Sequence, residues 1–130
     1  MTRAAHNAPY TILVVEDFED SRFMMRRLLE MCGYKVIEAI NGREAIEKAQ
    51  RESPDLILMD LSLPVIDGLE ATRQMRQQPD LQRIPIIAVS AHDVRDFQAE
   101  ALAAGCDYYI AKPVDFDQLE SLLQRLLPPH

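Results

Sequence analysis

Five short apolar runs alternate with five amphipathic stretches along the chain, the pattern of repeated strand and helix units that build a parallel sheet. The runs predict strands at 11–15, 35–39, 55–59, 85–89 and 107–110, and the periodicity between them predicts helices at about 19–32, 42–52, 66–76, 93–104 and 115–127. The last helix is the clearest: Leu119, Leu122, Leu123 and Leu126 recur at i, i+3, i+4, i+7, and Pro128-Pro129 stops the pattern. Gly33 and Gly105 each follow a helical stretch where a left-handed cap is wanted. Asn41-Gly42 turns the chain into the second helix, Ser53-Pro54 breaks that helix before the third strand, and Gln77-Gln78-Pro79-Asp80 reads as a polar surface turn.

The residues that end the runs carry the chemistry. Glu16-Asp17 follows the first run, Asp60 the third, Ser90 the fourth and Lys112-Pro113 the fifth. In open α/β sheets ligands sit at the carboxyl ends of the strands, so these groups are predicted to converge there. Two carboxylates about 5 Å apart repel by roughly 3 kcal/mol at an effective dielectric of ~20, and a hard divalent cation with oxygen ligands relieves that repulsion. An acidic residue after a strand often does no more than cap the next helix. Here four of five strands deliver an acid, a hydroxyl or an amine to one edge; the second strand, which delivers none, is expected at the outside of the sheet. The set suits phosphoryl handling, in which catalysis is positioning plus neutralisation of charge and a carboxylate itself serves as nucleophile.

Composition narrows the field. A chain of 130 residues, 48% hydrophobic, holds one domain with a single buried core. The expected limits are a tail at 1–9, the domain at 10–127 and a second tail at 128–130. With 21 acidic against 14 basic residues and a net charge of −7, a phosphate-backbone binder is disfavoured, and Arg22, Arg26 and Arg27 read as a partly solvated helix face. Met1 to Tyr10 lacks the apolar core of a signal peptide or membrane span, which points to a cytoplasmic protein. Cys32 and Cys106 are expected as small buried hydrophobes rather than a disulfide or metal pair. The chain carries neither G-x-x-x-x-G-K-[ST] nor G-x-G-x-x-G, and no Asp two residues after Asp60.

Val15-Glu16-Asp17, Leu58-Met59-Asp60-Leu61-Ser62-Leu63-Pro64, Asp67-Gly68, Val89-Ser90-Ala91 and Ala111-Lys112-Pro113, with 30 residues from Asp60 to Ser90 and 22 from Ser90 to Lys112, resemble the receiver domain of bacterial two-component response regulators over roughly residues 10 to 127. The resemblance implies a flavodoxin-like, doubly wound, five-stranded parallel sheet in the order 2-1-3-4-5 with five flanking helices. It implies a signalling protein rather than an enzyme, one that catalyses its own phosphorylation on Asp60 from a histidine kinase or histidine phosphotransfer protein and its own slow dephosphorylation. Mg²⁺, for which Mn²⁺ would substitute, would be held by Asp17, Asp60 and the backbone carbonyl of Ser62, and by Glu16 through water. Lys112 would pair with a phosphoryl oxygen and Ser90 would donate a hydrogen bond to another. The Lys112-Pro113 bond would be cis. Ser90 and Tyr109 would form the switch pair, the ring moving inward as the hydroxyl moves toward the phosphoryl group, while Tyr108 is expected in the core.

Within that resemblance, Ser62 and His92 stand at positions that tune the lifetime of the phosphoryl group, and Leu63-Pro64 opens the loop over the site. The kinase-side partner would dock on the first helix at Phe18, Ser21, Arg22 and Met25. A downstream protein would bind the face of the fourth helix, fifth strand and fifth helix: Val94 to Ala104, Tyr108, and Phe116 to Gln124. A stand-alone receiver is the expected form; a module of a hybrid kinase or larger regulator, and a non-phosphorylated scaffold of the same fold, are the other two readings.

Overall fold

A computed structural model describes residues 9–63, 67–91 and 95–128, with main chain only at 95–97. In chain order the elements are β1 (Thr11–Val15), α1 (Glu19–Met31), β2 (Lys35–Ala39), α2 (Gly42–Glu52), β3 (Leu56–Asp60), α3 (Gly68–Arg76), a 3-10 turn (Pro79–Leu81), β4 (Ile86–Ser90), α4 (Arg95–Ala104), β5 (Tyr108–Ala111) and α5 (Phe116–Leu126). The five strands form one parallel sheet in the order β2-β1-β3-β4-β5.

Alternation along each strand explains the two layers. Leu13, Val15, Ile57, Met59 and Ala88 face a core closed by Ala45, Ala49, Ala71, Met75 and Ala101 of α2, α3 and α4. Ile12, Val14, Leu56, Leu58, Ile87 and Ile110 face the opposite core, closed by Leu29 of α1 and by Leu119, Leu122 and Leu123 of α5. A strand covered on both sides must be apolar at every position, which is why the central runs are unbroken. All five residues of β3 are buried. Truncating a side chain such as Ile57 there would cost about 2–5 kcal/mol.

Caps set the helix starts. The Asn41 side chain accepts the Glu44 N–H at 2.8 Å, Asp67 that of Glu70 at 2.8 Å and Asp115 that of Gln118 at 3.2 Å. Because Asp67 and Asp115 are caps with extended backbone, α3 and α5 begin at 68 and 116, later than the periodicity predicts. Gly33 and Gly105 take positive φ, +96° and +118°, as expected of caps; Ser53 does so too, at +48°, without being glycine.

The structure corrects several expectations. β3, β4 and β5 each lie one residue further along than the apolar runs predict, because backbone pairing continues one residue past each predicted end, into the polar Asp60 and Ser90 and into Ala111: Asp60 pairs with Val89 and Ser90 with Ala111. The turn after α3 contains a 3-10 segment whose Leu81 is buried. Cys106 is buried as expected, but Cys32 is exposed. It caps the C-terminus of α1, where its Sγ lies 3.4 Å from Glu120 Oε2, and geometry at a helix end outweighs the preference of a thiol for the core. Tyr108 is also exposed, since only Ile110 of the edge strand β5 is fully covered. The Arg22, Arg26 and Arg27 face is partly solvated as expected, with Arg26 and Arg27 exposed, and it is also ion-paired: Arg22 to Glu38, and Arg26 to Glu30 and Glu38.

Candidate functional site: an acidic cleft at the carboxyl edge of the sheet

β1, β3, β4 and β5 end at one edge of the sheet, and their last residues or the ones just after them form the site. Glu16, Asp17 and Asp60 each present a carboxylate oxygen within 4.8 Å of the others. Asp60 and Glu16 are buried, at 4% and 8% exposure, whereas Asp17 is open to solvent. Burial without pairing would be costly for these two acids, and each is paired. Asp60 Oδ1 accepts the Ser62 N–H at 2.9 Å and Oδ2 faces Lys112 Nζ at 3.3 Å. Glu16 Oε1 faces the same Nζ at 3.2 Å, and Oε2 accepts the Phe18 N–H at 3.1 Å.

Lys112 is placed by the backbone as much as by charge. Its N–H donates to the Ser90 carbonyl at 2.8 Å, hooking the end of β5 to the end of β4, and the Lys112-Pro113 peptide is cis. Burial alone would lower the Lys112 pKa, but attraction to Asp60 and then Glu16 outweighs it and holds the ammonium above its ordinary value. Ser90 is wholly buried at the end of β4. Tyr109 is half-buried and packs against the core on the α2, α3 and α4 side. A cleft of about 420 Å³ opens beside the acids, floored by Glu16, Asp60 and Lys112 and walled by Met24, Met25 and Phe116.

Three carboxylates against one ammonium leave two formal negative charges, all on hard oxygen donors, which suits a divalent cation of the Mg²⁺ class. Glu16, Asp17, Asp60, Ser90 and Lys112 thus lie at one strand edge as the spacing predicts, and Ser62 stands beside Asp60 through its N–H. His92, Pro64 and Val94 fall outside the described residues. Sequence reasoning missed Glu38. The signal for it was present, since Glu38 interrupts the apolar Val36, Ile37 and Ala39 one residue before the end of β2.

The family model for the response regulator receiver domain matches residues 12–124. The chain belongs to that family. It is 40% identical to the polar-differentiation response regulator DivK of Brucella anthropi over 106 residues, which are 82% of this chain and 86% of that protein. Among solved structures it is similar to the receiver domain of the sensor histidine kinase PA1611 from Pseudomonas aeruginosa, at 39% identity and TM-score 0.85 over 92% of this chain and 98% of that one. That structure holds a magnesium ion in its active-site cleft. Chemotaxis protein CheY4 of Vibrio cholerae matches with TM-score 0.86 at 32% identity, over 92% of this chain and 100% of that one. This receiver domain therefore has a phosphoacceptor role in two-component signalling and is not an enzyme of the ordinary kind. No helix among its described residues is long and apolar enough to cross a membrane.

Proposed function

We propose that Asp60 is the phosphoacceptor and that a histidine kinase or histidine phosphotransfer protein is the donor. A carboxylate oxygen of Asp60 attacks phosphorus, the phosphorus–nitrogen bond to the donor histidine breaks, and the imidazole leaves with the bonding electron pair. Lys112, already within 3.3 Å of Asp60, balances the charge of the incoming group. Asp17, Asp60 and the Ser62 carbonyl would hold Mg²⁺, with Glu16 assisting through water, and the ion would supply neutralisation of the phosphoryl oxygens. Mn²⁺ substitutes for it, and the acyl phosphate hydrolyses slowly in the same site, at a rate set by Ser62 and His92.

Ser90 and Tyr109 act as the switch pair, and the domain at 10–127 signals from the cytoplasm to another protein. Leu102 and Tyr108, both exposed, support the face of α4, β5 and α5 as the output surface. Exposed Phe18 and Ser21, with Arg22 and Met25, form the donor's docking site on α1. The net charge of −7 argues against direct contact with nucleic acid.

The observation that carries this reading is the single ammonium of Lys112 set between the two buried carboxylates of Glu16 and Asp60. Incubation with a small acyl phosphate and Mg²⁺ should add one phosphoryl group, seen by intact mass, and Asp60→Asn should abolish it. Continued labelling of that variant would assign the acceptor elsewhere.

A further inference from the structure

β2 sends no side chain into the acidic cluster, yet two of its residues grip the segment that carries Glu16 and Asp17. The Ala39 carbonyl accepts the Glu16 N–H at 3.0 Å. On the other side of the same residue, the Glu16 carbonyl accepts from Arg22 Nη1 at 3.0 Å, while Arg22 Nε donates to Glu38 Oε1 at 2.8 Å. Glu38 is itself fixed, its second oxygen taking Arg26 Nη1 at 2.7 Å. The Arg22 side chain is only 15% exposed, so this fork is part of the fold rather than a loose surface pair.

We propose that Arg22, oriented by Glu38, is a positioning residue that holds Glu16 and Asp17 aimed at Asp60 before the metal binds. The inference rests on the reading of Glu16 and Asp17 as metal ligands. Three carboxylates within 4.8 Å repel, and the segment after β1 is the free end of that repulsion, able to swing away unless its backbone is held. A planar guanidinium can serve Glu38 and the Glu16 carbonyl together in a fixed geometry; an ammonium on a flexible stem cannot reproduce that fork.

Charge and position pull in opposite directions here, which makes the test decisive. Removing a positive charge near a cation site should by Coulomb's law tighten metal binding, whereas removing an anchor should weaken it. Mg²⁺ titration calorimetry on the parent, Arg22→Met, Arg22→Lys, Glu38→Gln and the Arg22→Met/Glu38→Gln double variant reads the first effect. We expect Arg22→Met to weaken Mg²⁺ binding by about tenfold, the range seen when a residue supporting metal ligands is lost, with Arg22→Lys recovering only part. Glu38→Gln should weaken it less, and the double variant should match Arg22→Met alone because both act through one fork. Amide exchange of residues 16–18 in the metal-free protein is the second readout and should quicken in Arg22→Met and in Glu38→Gln, the variant that better preserves side-chain volume. Unchanged exchange there, or tighter Mg²⁺ binding in Arg22→Met, overturns the positioning role. A parent that binds no Mg²⁺, or binds it equally after Asp17→Asn, overturns instead the metal-ligand reading beneath it.

Discussion

Lys112 Nζ lies 3.2 Å from Glu16 Oε1 and 3.3 Å from Asp60 Oδ2, so one cation from the end of β5 ties together the ends of β1 and β3. Its folded pKa is raised, so the stabilisation is complete below the ordinary value of 10.5 and is lost only as pH rises through the still higher folded value. Lys112→Met should therefore destabilise the metal-free protein across the whole neutral range. With the Lys112 side chain 32% exposed, the expected loss is about 1–2 kcal/mol, between the surface and buried limits. Urea denaturation in chelator and then in millimolar Mg²⁺ checks this: the ion should restore part of the loss.

Asp17 adds repulsion to the cluster from an exposed position. Asp17→Asn should leave the metal-free melting temperature unchanged or a few degrees higher. Mg²⁺ at ten times its dissociation constant stabilises the parent by about 1.4 kcal/mol, and this increment should nearly vanish in the variant. Thermal melts with and without Mg²⁺ decide; equal shifts in both proteins would move the metal elsewhere.

Ser90 is buried at the end of β4 and Tyr109 packs from β5 against the same side of the sheet. Ser90→Ala removes a contact expected to differ between the two signalling states while keeping the carboxylates and Lys112. Phosphorylation should persist, slowed by no more than about tenfold for one lost hydrogen bond worth roughly 0.5–1.5 kcal/mol. Target affinity should stop responding to phosphorylation, since an equilibrium shifts only through differential contacts. Tyr109→Ala should blunt the response as well and reduce stability. An affinity ratio between the two states that is unaltered in Ser90→Ala would exclude the hydroxyl as the transmitter.

Gly68 opens α3 where the helix presses on the end of β3. A Cβ there would stand 2.5 Å from the Asp60 carbonyl oxygen and 2.7 Å from Leu61 Cα, both backbone atoms that cannot rotate away. On helix propensity alone, Gly68→Ala should stabilise by about 1 kcal/mol. The contact reverses the sign, and an overpacking loss of about 1–3 kcal/mol is expected from chemical denaturation, with slower phosphorylation as Asp60 is displaced.

Burial alone would raise the Glu38 carboxyl, but hydrogen bonds from Arg22 and Arg26 outweigh it and hold the group below its ordinary pKa of 4.5. A depressed folded pKa means the stabilisation is present above 4.5 and fades as pH falls through the folded value. Glu38→Gln should thus be less stable than the parent at pH 7, and the difference should shrink in acid below pH 4.5, as read from unfolding curves across pH.

The sequence by itself determined the sheet and the chemistry at its edge. A strand buried on both faces has no choice but to be apolar throughout, so Ile12 to Val15, Leu56 to Met59 and Ile86 to Val89 announce themselves, and the polar residues that end them must come together. Glu16, Asp17, Asp60, Ser90 and Lys112 were legible for that reason. Only the tertiary structure decided that Cys32 and Tyr108 are exposed, that β3 and β4 run one residue further, into Asp60 and Ser90, and that Gly68 leaves no room for a methyl group. It also showed Arg22, expected on a partly solvated helix face, to be the link between Glu38 and the Glu16 carbonyl. Periodicity records which face of an element is covered and says nothing about what covers it. A contact between residues 16 positions apart, made by a long side chain folding back onto an edge strand, therefore exists only once the chain is packed.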